Sequence, residues 1–268
     1  MDAILWEKLS RKIRRVADSF SGTMGISLKN LATQKMITVN GNESFPAASA
    51  IKIPILIEFY RKARAGTLDP AEFRTITDDV RVGGTGVLKE LGEVSLTLRD
   101  LATLMITVSD NTATNILIDI TGMNDINMTL ERLGLRTTRL LRKMQDYEAI
   151  AQGKENYSTP NEFTRLMEIM HTGEGLDPWV AEETLAVLKK PKTTAINRLL
   201  PQEVEVAGKY GDMRDSYCDI ALVYHPQSPY IISVMTRHIP TSDIRKQRAI
   251  DTISNVSKIA YDYFSPSL

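Results

Sequence analysis

Alternation of apolar and polar residues with a period of two occurs only near the two ends of this chain, and no other feature restricts its folds as much. Two strand-like runs, Thr23 to Leu28 and Lys35 to Asn40, flank a turn-forming segment from Asn30 to Gln34 and read as a hairpin. Three more runs, Glu203 to Gly208, Tyr217 to Tyr224 and Tyr230 to Arg237, lie near the other end, the last two separated by Pro226 to Pro229. Between these groups the apolar residues recur every three or four positions. The spacing predicts helices over Ile51 to Ala65, Leu98 to Val108, Thr112 to Ile120, Ile126 to Leu133, Pro160 to Met170 and Pro178 to Leu188, with no convincing strand among them. Trp6, Leu9, Ile13, Val16 and Phe20 predict an amphipathic helix at the start, and Ile244 to Phe264 a closing one. Half-buried strands at both ends bury their apolar faces most simply in one shared sheet. The expected class is α+β, a five-stranded antiparallel sheet flanked by N- and C-terminal helices with an all-helical lobe inserted in it. Residues 1–46 and 203–268 form the sheet lobe and 47–202 the helical lobe, with a small-molecule site expected in the cleft between them.

Charge and cysteine usage exclude several functions. The 33 basic residues balance 33 acidic ones, so no overall field gathers nucleic acid or an anionic membrane. Cys218 is the single cysteine, and His171, His225 and His238 are far apart, so neither a disulfide nor a metal site is expected, and no cofactor is implied. Glu7, Lys8, Arg11, Lys12, Arg14 and Arg15 interrupt the apolar run that a signal peptide needs, which points to a cytoplasmic chain or to a sequence without its export signal. No stretch reaches the ~20 apolar residues of a membrane span, so the chain reads as soluble. The partner to look for is a small molecule, and the chain is expected to act as a monomer.

Ser49-Ala50-Ile51-Lys52 opens a strongly apolar helix that runs on through Ile53-Pro54-Ile55-Leu56-Ile57. A three-residue offset on a helix puts both side chains on one face, where an amine reaches a hydroxyl. Burial against apolar neighbours disfavours the ammonium form and makes the lysine a candidate base. A serine at a helix N-terminus also offers its backbone N–H to a developing oxyanion. The plain alternative is a capping serine followed by a surface lysine. Ser109-Asp110-Asn111 is rarer as a fixed tripeptide, although it also suits a turn whose Asn-Thr pair caps the next helix. Lys209-Tyr210-Gly211 carries nothing alone.

In this order, and with these separations, the three elements resemble the serine-x-x-lysine, serine-aspartate-asparagine and lysine-threonine-glycine elements of class A β-lactamases and penicillin-binding proteins. The resemblance covers nearly the whole chain and implies a β-lactamase/transpeptidase-like fold. It implies that Ser49 attacks a carbonyl, Lys52 accepts or relays its proton, and Ser109 passes a proton to the leaving nitrogen. It also implies that Asn111 holds the substrate's amide side chain and that Lys209 supplies positive charge near Ser109 and a substrate carboxylate. The remaining substrate contacts fall to Tyr210, Gly211 and Asp212, with the N–H groups of Ser49 and Asp212 as the oxyanion hole. The substrate implied is a β-lactam or a D-alanyl-type amide or ester. Family members are periplasmic or secreted, in contrast to the reading of the N-terminus.

The sequence departs from that pattern twice. Tyr210 stands where the family has threonine or serine, which puts the usual carboxylate recognition in question; Arg214 and Arg237 are candidate substitutes, with a solvated strand or turn residue as the plain alternative for each. Matching Arg139-Leu140 to the family places its deacylating glutamate at Met144 or Gln145, neither a base, with Asp146 and Glu148 nearby. Acylation with slow hydrolysis, as in a penicillin-binding protein, or binding without turnover, is then expected. Val82-Gly83-Gly84-Thr85-Gly86 lacks the lysine-serine or lysine-threonine pair of a phosphate cradle and reads as a flexible loop near the cleft.

Overall fold

A computed structural model describes residues 2–239 and 243–265. The chain runs α1 (Asp2–Asp18), β1 (Thr23–Asn30), β2 (Met36–Val39), β3 (Phe45–Pro46), a 3₁₀ turn (Ala48–Ile51), α2 (Lys52–Arg64), β4 (Phe73–Ile76) and β5 (Val94–Thr97). It continues through α3 (Leu98–Thr107), α4 (Asn111–Thr121), α5 (Met123–Arg132), α6 (Tyr147–Ala151), β6 (Tyr157–Ser158), α7 (Pro160–Thr172) and α8 (Pro178–Leu188). It ends with β7 (Val206–Asp212), β8 (Tyr217–Val223), β9 (Tyr230–Arg237) and α9 (Asp243–Phe264). Two compact units emerge, residues 1–50, 158–168 and 193–268 in one, 51–157 and 169–192 in the other.

The first unit holds the five-stranded sheet, in the order β2-β1-β9-β8-β7. Every neighbouring pair is antiparallel. Thr23 pairs with Arg237 and Asn30 with Tyr230, so the N-terminal hairpin joins the C-terminal strands along the whole of β1. Met24, Ile26, Leu28, Ile232 and Val234 alternate onto one face and bury themselves against Leu9 and Ile13 of α1 and Ala249, Ile253, Val256 and Ala260 of α9. Each larger apolar side chain so buried contributes about 1.5–3 kcal/mol. On the opposite face Thr164 Oγ1 meets Ser233 Oγ at 2.9 Å and Lys29 Nζ meets Glu168 Oε1 at 2.5 Å. These contacts bind the first half of α7 to the sheet, although its sequence lies far from the five strands of that sheet. β7 extends to Asp212, further than its alternation ends, which puts Lys209, Tyr210 and Gly211 inside the strand.

In the second unit α2 is the central element, with every residue from Lys52 to Tyr60 buried. Glu58 is among them, and its carboxylate is fully used by a two-pronged contact from Arg61 at 2.7 and 2.7 Å and by Thr129 Oγ1 at 2.7 Å. A buried charge so paired avoids the cost of an isolated one. The expectation of an all-helical lobe needs correction, because β4 and β5 pair as an antiparallel ribbon, Phe73 with Thr97 and Ile76 with Val94. Only Ile76 of β4 is buried, so this strand never generates the alternation by which strands are read. Among the described residues no helix is long and apolar enough to cross a membrane.

Candidate active site

The turn that carries Ser49 is built within the first unit. Ala50 N–H donates to Ala47 O at 2.9 Å, and Ala48 takes a φ of 44°, a left-handed conformation that alanine adopts only when its surroundings enforce it. The N-cap of α2 is Ile51, with no side-chain capping bond, so Ser49 does not serve as the cap that the plain reading proposed. Its hydroxyl makes no hydrogen bond among the described residues. Gly211 of β7 lies directly against this turn. A Cβ on Gly211 would stand 2.6 Å from Ser49 N and 2.7 Å from Ala48 Cβ, so only glycine lets strand and turn approach this closely. The structure thus brings Ser49, Gly211 and, next along the strand, Asp212 together. Cys218, paired with Gly211 across β7 and β8, donates its thiol to Ala47 O at 3.3 Å. Burial, reinforced by Asp219, pushes that thiol's pKa up to about 12.

Lys209 is fully buried; its Nζ donates to Tyr210 O at 2.7 Å and rests 4.3 Å from the centre of the Tyr210 ring. Tyr210 alternates away from Lys209 and Gly211 and stacks on Tyr217, with ring centres 6.0 Å apart and planes 12° from parallel. Its ring joins the core beneath α1 and α9, and burial raises its phenol pKa, helped by Asp212 and Asp219. Arg237, a candidate carboxylate partner by sequence, is held by Glu43 Oε2 at 2.6 Å and by Ser44 O, with its guanidinium over Phe45. Arg214 is exposed in the turn after β7.

A second set of groups forms within the other unit. Lys52 is fully buried at the first position of α2, not at a surface. Its Nζ lies 2.8 Å from Ser109 O, 3.0 Å from Ser109 Oγ and 3.1 Å from Asn111 Oδ1. Ser109 holds a φ of 56°, which turns its carbonyl and hydroxyl to the amine together. Asp110 caps α4 through Ala113 N at 2.9 Å, and its other oxygen accepts Val87 N at 2.7 Å and Leu88 N at 2.9 Å. Asn111 has its Oδ1 on Lys52 and one Nδ2 hydrogen on Gly83 O at 3.1 Å. A second Nδ2 hydrogen is left for a ligand.

The segment Val82 to Gly86, expected as a loop near the cleft, is hydrogen-bonded to this corner. Asn111 N donates to Thr85 O at 3.1 Å, Thr85 Oγ1 donates to Ser109 O at 2.9 Å, and Val82 N donates to Thr112 Oγ1 at 3.1 Å. Gly84, at φ 82°, leaves open a space that a Cβ would take from Asn111 Nδ2 and Gln145 Nε2, each 2.5 Å away. Sequence reasoning passed over Thr85, since a threonine among glycines carries no motif. It also passed over Asn115, whose carboxamide accepts Met144 N at 2.8 Å and donates to Met144 O at 3.0 Å. Asn115 is one helical turn beyond Asn111, so Met144 is fixed on the Asn111 face of α4 with its side chain buried. Asp146 is spent as the N-cap of α6 and Glu148 is exposed. Among the described residues no cluster fits a metal ion.

The model of the β-lactamase enzyme family matches residues 8–264, and the chain belongs to that family. It is a β-lactamase-like serine hydrolase. The β-lactamase CARB-4 of Pseudomonas aeruginosa is 23% identical over 97% of this chain and 91% of its own. A β-lactamase structure from Sphaerobacter thermophilus is 28% identical with a TM-score of 0.87, covering 98% of this chain and 99% of that one. A point mutant of PBP-A, solved as an acyl-enzyme complex with penicillin G, is 28% identical with a TM-score of 0.86 and covers 96% of each chain.

Proposed function

We propose that this chain is acylated by β-lactams on Ser49 and releases the acyl group slowly. The observation that carries the reading is the Lys52 amine, buried against both the hydroxyl and the carbonyl of Ser109. In acylation Ser49 Oγ attacks the lactam carbonyl carbon while its proton passes to Lys52 Nζ, which enters the step as the neutral amine with a free lone pair. The carbon–nitrogen bond then breaks, Ser109 gives its hydroxyl proton to the departing nitrogen, and Lys52 returns a proton to Ser109. No proton is gained or lost overall. The N–H groups of Ser49 and Asp212 hold the carbonyl oxygen as its charge grows, and the Gly211 contact supports that assignment. Asn111 offers its remaining amide hydrogen to the acyl side chain, and Lys209 supplies positive charge for the substrate carboxylate. Tyr210 contributes through its backbone, because its ring belongs to the other face of the sheet.

Release of the acyl group requires water and a base. Met144 and Gln145 supply none, and Asp146 is engaged as a cap. This favours an enzyme that traps β-lactams and turns over less strained amides or esters of D-alanyl type, as a penicillin-binding protein does. The acyl-enzyme recorded for the PBP-A mutant supports β-lactams as probes. Intact-mass measurement after mixing with penicillin G is expected to show one adduct that persists for many minutes and is absent in Ser49→Ala. An adduct retained by that variant, or none in the unaltered chain, overturns the reading. Rapid return to free protein removes the slow step alone.

A further inference from the structure

We propose that Thr85 is a positioning residue for the Lys52 amine, an inference that rests on Lys52 being the proton-transfer partner. Nζ lies among three oxygen atoms, and two of them, Ser109 O and Asn111 Oδ1, also face the Thr85 hydroxyl, at 2.9 and 3.4 Å. A hydroxyl has one proton to donate, and the shorter distance assigns it to Ser109 O. That carbonyl has two lone pairs, so it accepts Thr85 from the outer side and Lys52 from the buried side. Thr85 therefore holds the oxygen on which the amine rests without displacing the amine.

The backbone of Ser109 shows why a second donor is needed. At φ 56° this serine is in a conformation that costs on the order of 1–3 kcal/mol outside glycine and persists only when neighbours over-determine it. If the peptide after Ser109 relaxes, its carbonyl swings away from Nζ and the hydroxyl that Lys52 serves moves with it. Thr85 opposes that relaxation through its side chain, while its own carbonyl receives Asn111 N at 3.1 Å. Asp110, Asn111 and Thr112 independently fasten the 82–88 segment, so the latch survives loss of the Thr85 hydroxyl. What is lost is the aim of one carbonyl. Proton transfer depends on sub-ångström placement of donor and acceptor, so the effect falls on the acylation step and not on substrate affinity.

The test compares Thr85→Val, which keeps the shape and removes the donor, with Thr85→Ser, which keeps the donor and removes a methyl group. Penicillin G is the probe, and adduct formation is followed by intact mass at several concentrations to separate the acylation rate constant from the preceding non-covalent dissociation constant. Thr85→Val is expected to acylate about tenfold more slowly at unchanged non-covalent affinity. Thr85→Ser is expected to stay within about twofold of the unaltered chain, with both variants melting as it does. Equal acylation rates in Thr85→Val and the unaltered chain overturn the role of Thr85 alone. Equal losses in the two variants also overturn it, by assigning the effect to packing. No adduct in the unaltered chain removes the role of Lys52 and that of Thr85 with it.

Discussion

Two single residues decide whether the proposed chemistry starts and whether it finishes. A methyl group on Gly211 would collide with the amide nitrogen of Ser49, and that nitrogen belongs to backbone, which yields at greater cost than a flexible side chain. Gly211→Ala is therefore expected to slow acylation at least ~10-fold and to cost about 1–3 kcal/mol of stability, read by adduct formation and urea unfolding. Unchanged acylation would show that the oxyanion site lies elsewhere. Met144 governs the other end of the reaction. Asn115 fixes its backbone on the Asn111 face of α4, so Met144→Glu tests whether a carboxylate on this loop activates a water against the acyl group. The variant is expected to shorten the lifetime of the penicillin adduct by at least ~10-fold, and an unchanged lifetime would show that no water is activated from this position. The sequence narrowed this position to two residues and went no further, because choosing between them takes a side chain that no motif includes.

At the scale of elements, the serine-aspartate-asparagine corner is a junction as well as a reactive site. The Asp110 carboxylate takes three backbone N–H groups, two of them from the segment that starts at Val87. Asp110→Ala is expected to destabilise the chain by about 2–4 kcal/mol in urea unfolding, since it uncaps α4 and leaves the buried Leu88 N–H without an acceptor. Asp110→Asn retains an acceptor and should lose less. The elements that were legible in the sequence are those whose side chains meet a core. β8 and β9, buried on both faces, and α2, buried through nine consecutive residues, fall within a few residues of their expected ranges. β4 was not legible, because a strand with one buried residue pairs through its backbone, and backbone hydrogen bonding leaves no pattern in residue types. The Gly83-Gly84 pair is ambiguous in the sequence for a related reason. Glycines permit both mobility and close approach, and only the partners at Asn111, Asp110 and Thr112 decide between them.

For the molecule as a whole, Cys218 reports on folding. Its buried thiol keeps its proton up to about pH 12, whereas an unfolded thiol loses it near ~8.5. The folded state binds more protons in that interval, so this group's contribution to stability is complete below ~8.5 and is lost as pH rises toward 12. Urea unfolding between about pH 8 and 10.5 is expected to show a stability decrease that Cys218→Ala reduces. An identical slope in that variant would show that the thiol is not the group responsible. Cys218 should also resist thiol reagents at neutral pH until the chain unfolds. The sequence showed a lone cysteine and no disulfide, and it could not show that this thiol lies beneath the turn of Ser49.

The pairing of β1 with β9 has a consequence for biosynthesis. While the chain emerges from the ribosome, one edge of the strand that begins at Thr23 must wait for Tyr230 to Arg237 before it is covered. The roughly 200 residues between Asn30 and Tyr230 are translated before the sheet closes, so nascent chains carry an unsatisfied strand edge throughout that interval, and aggregation at that stage, more than thermal melting, should limit the yield of active protein.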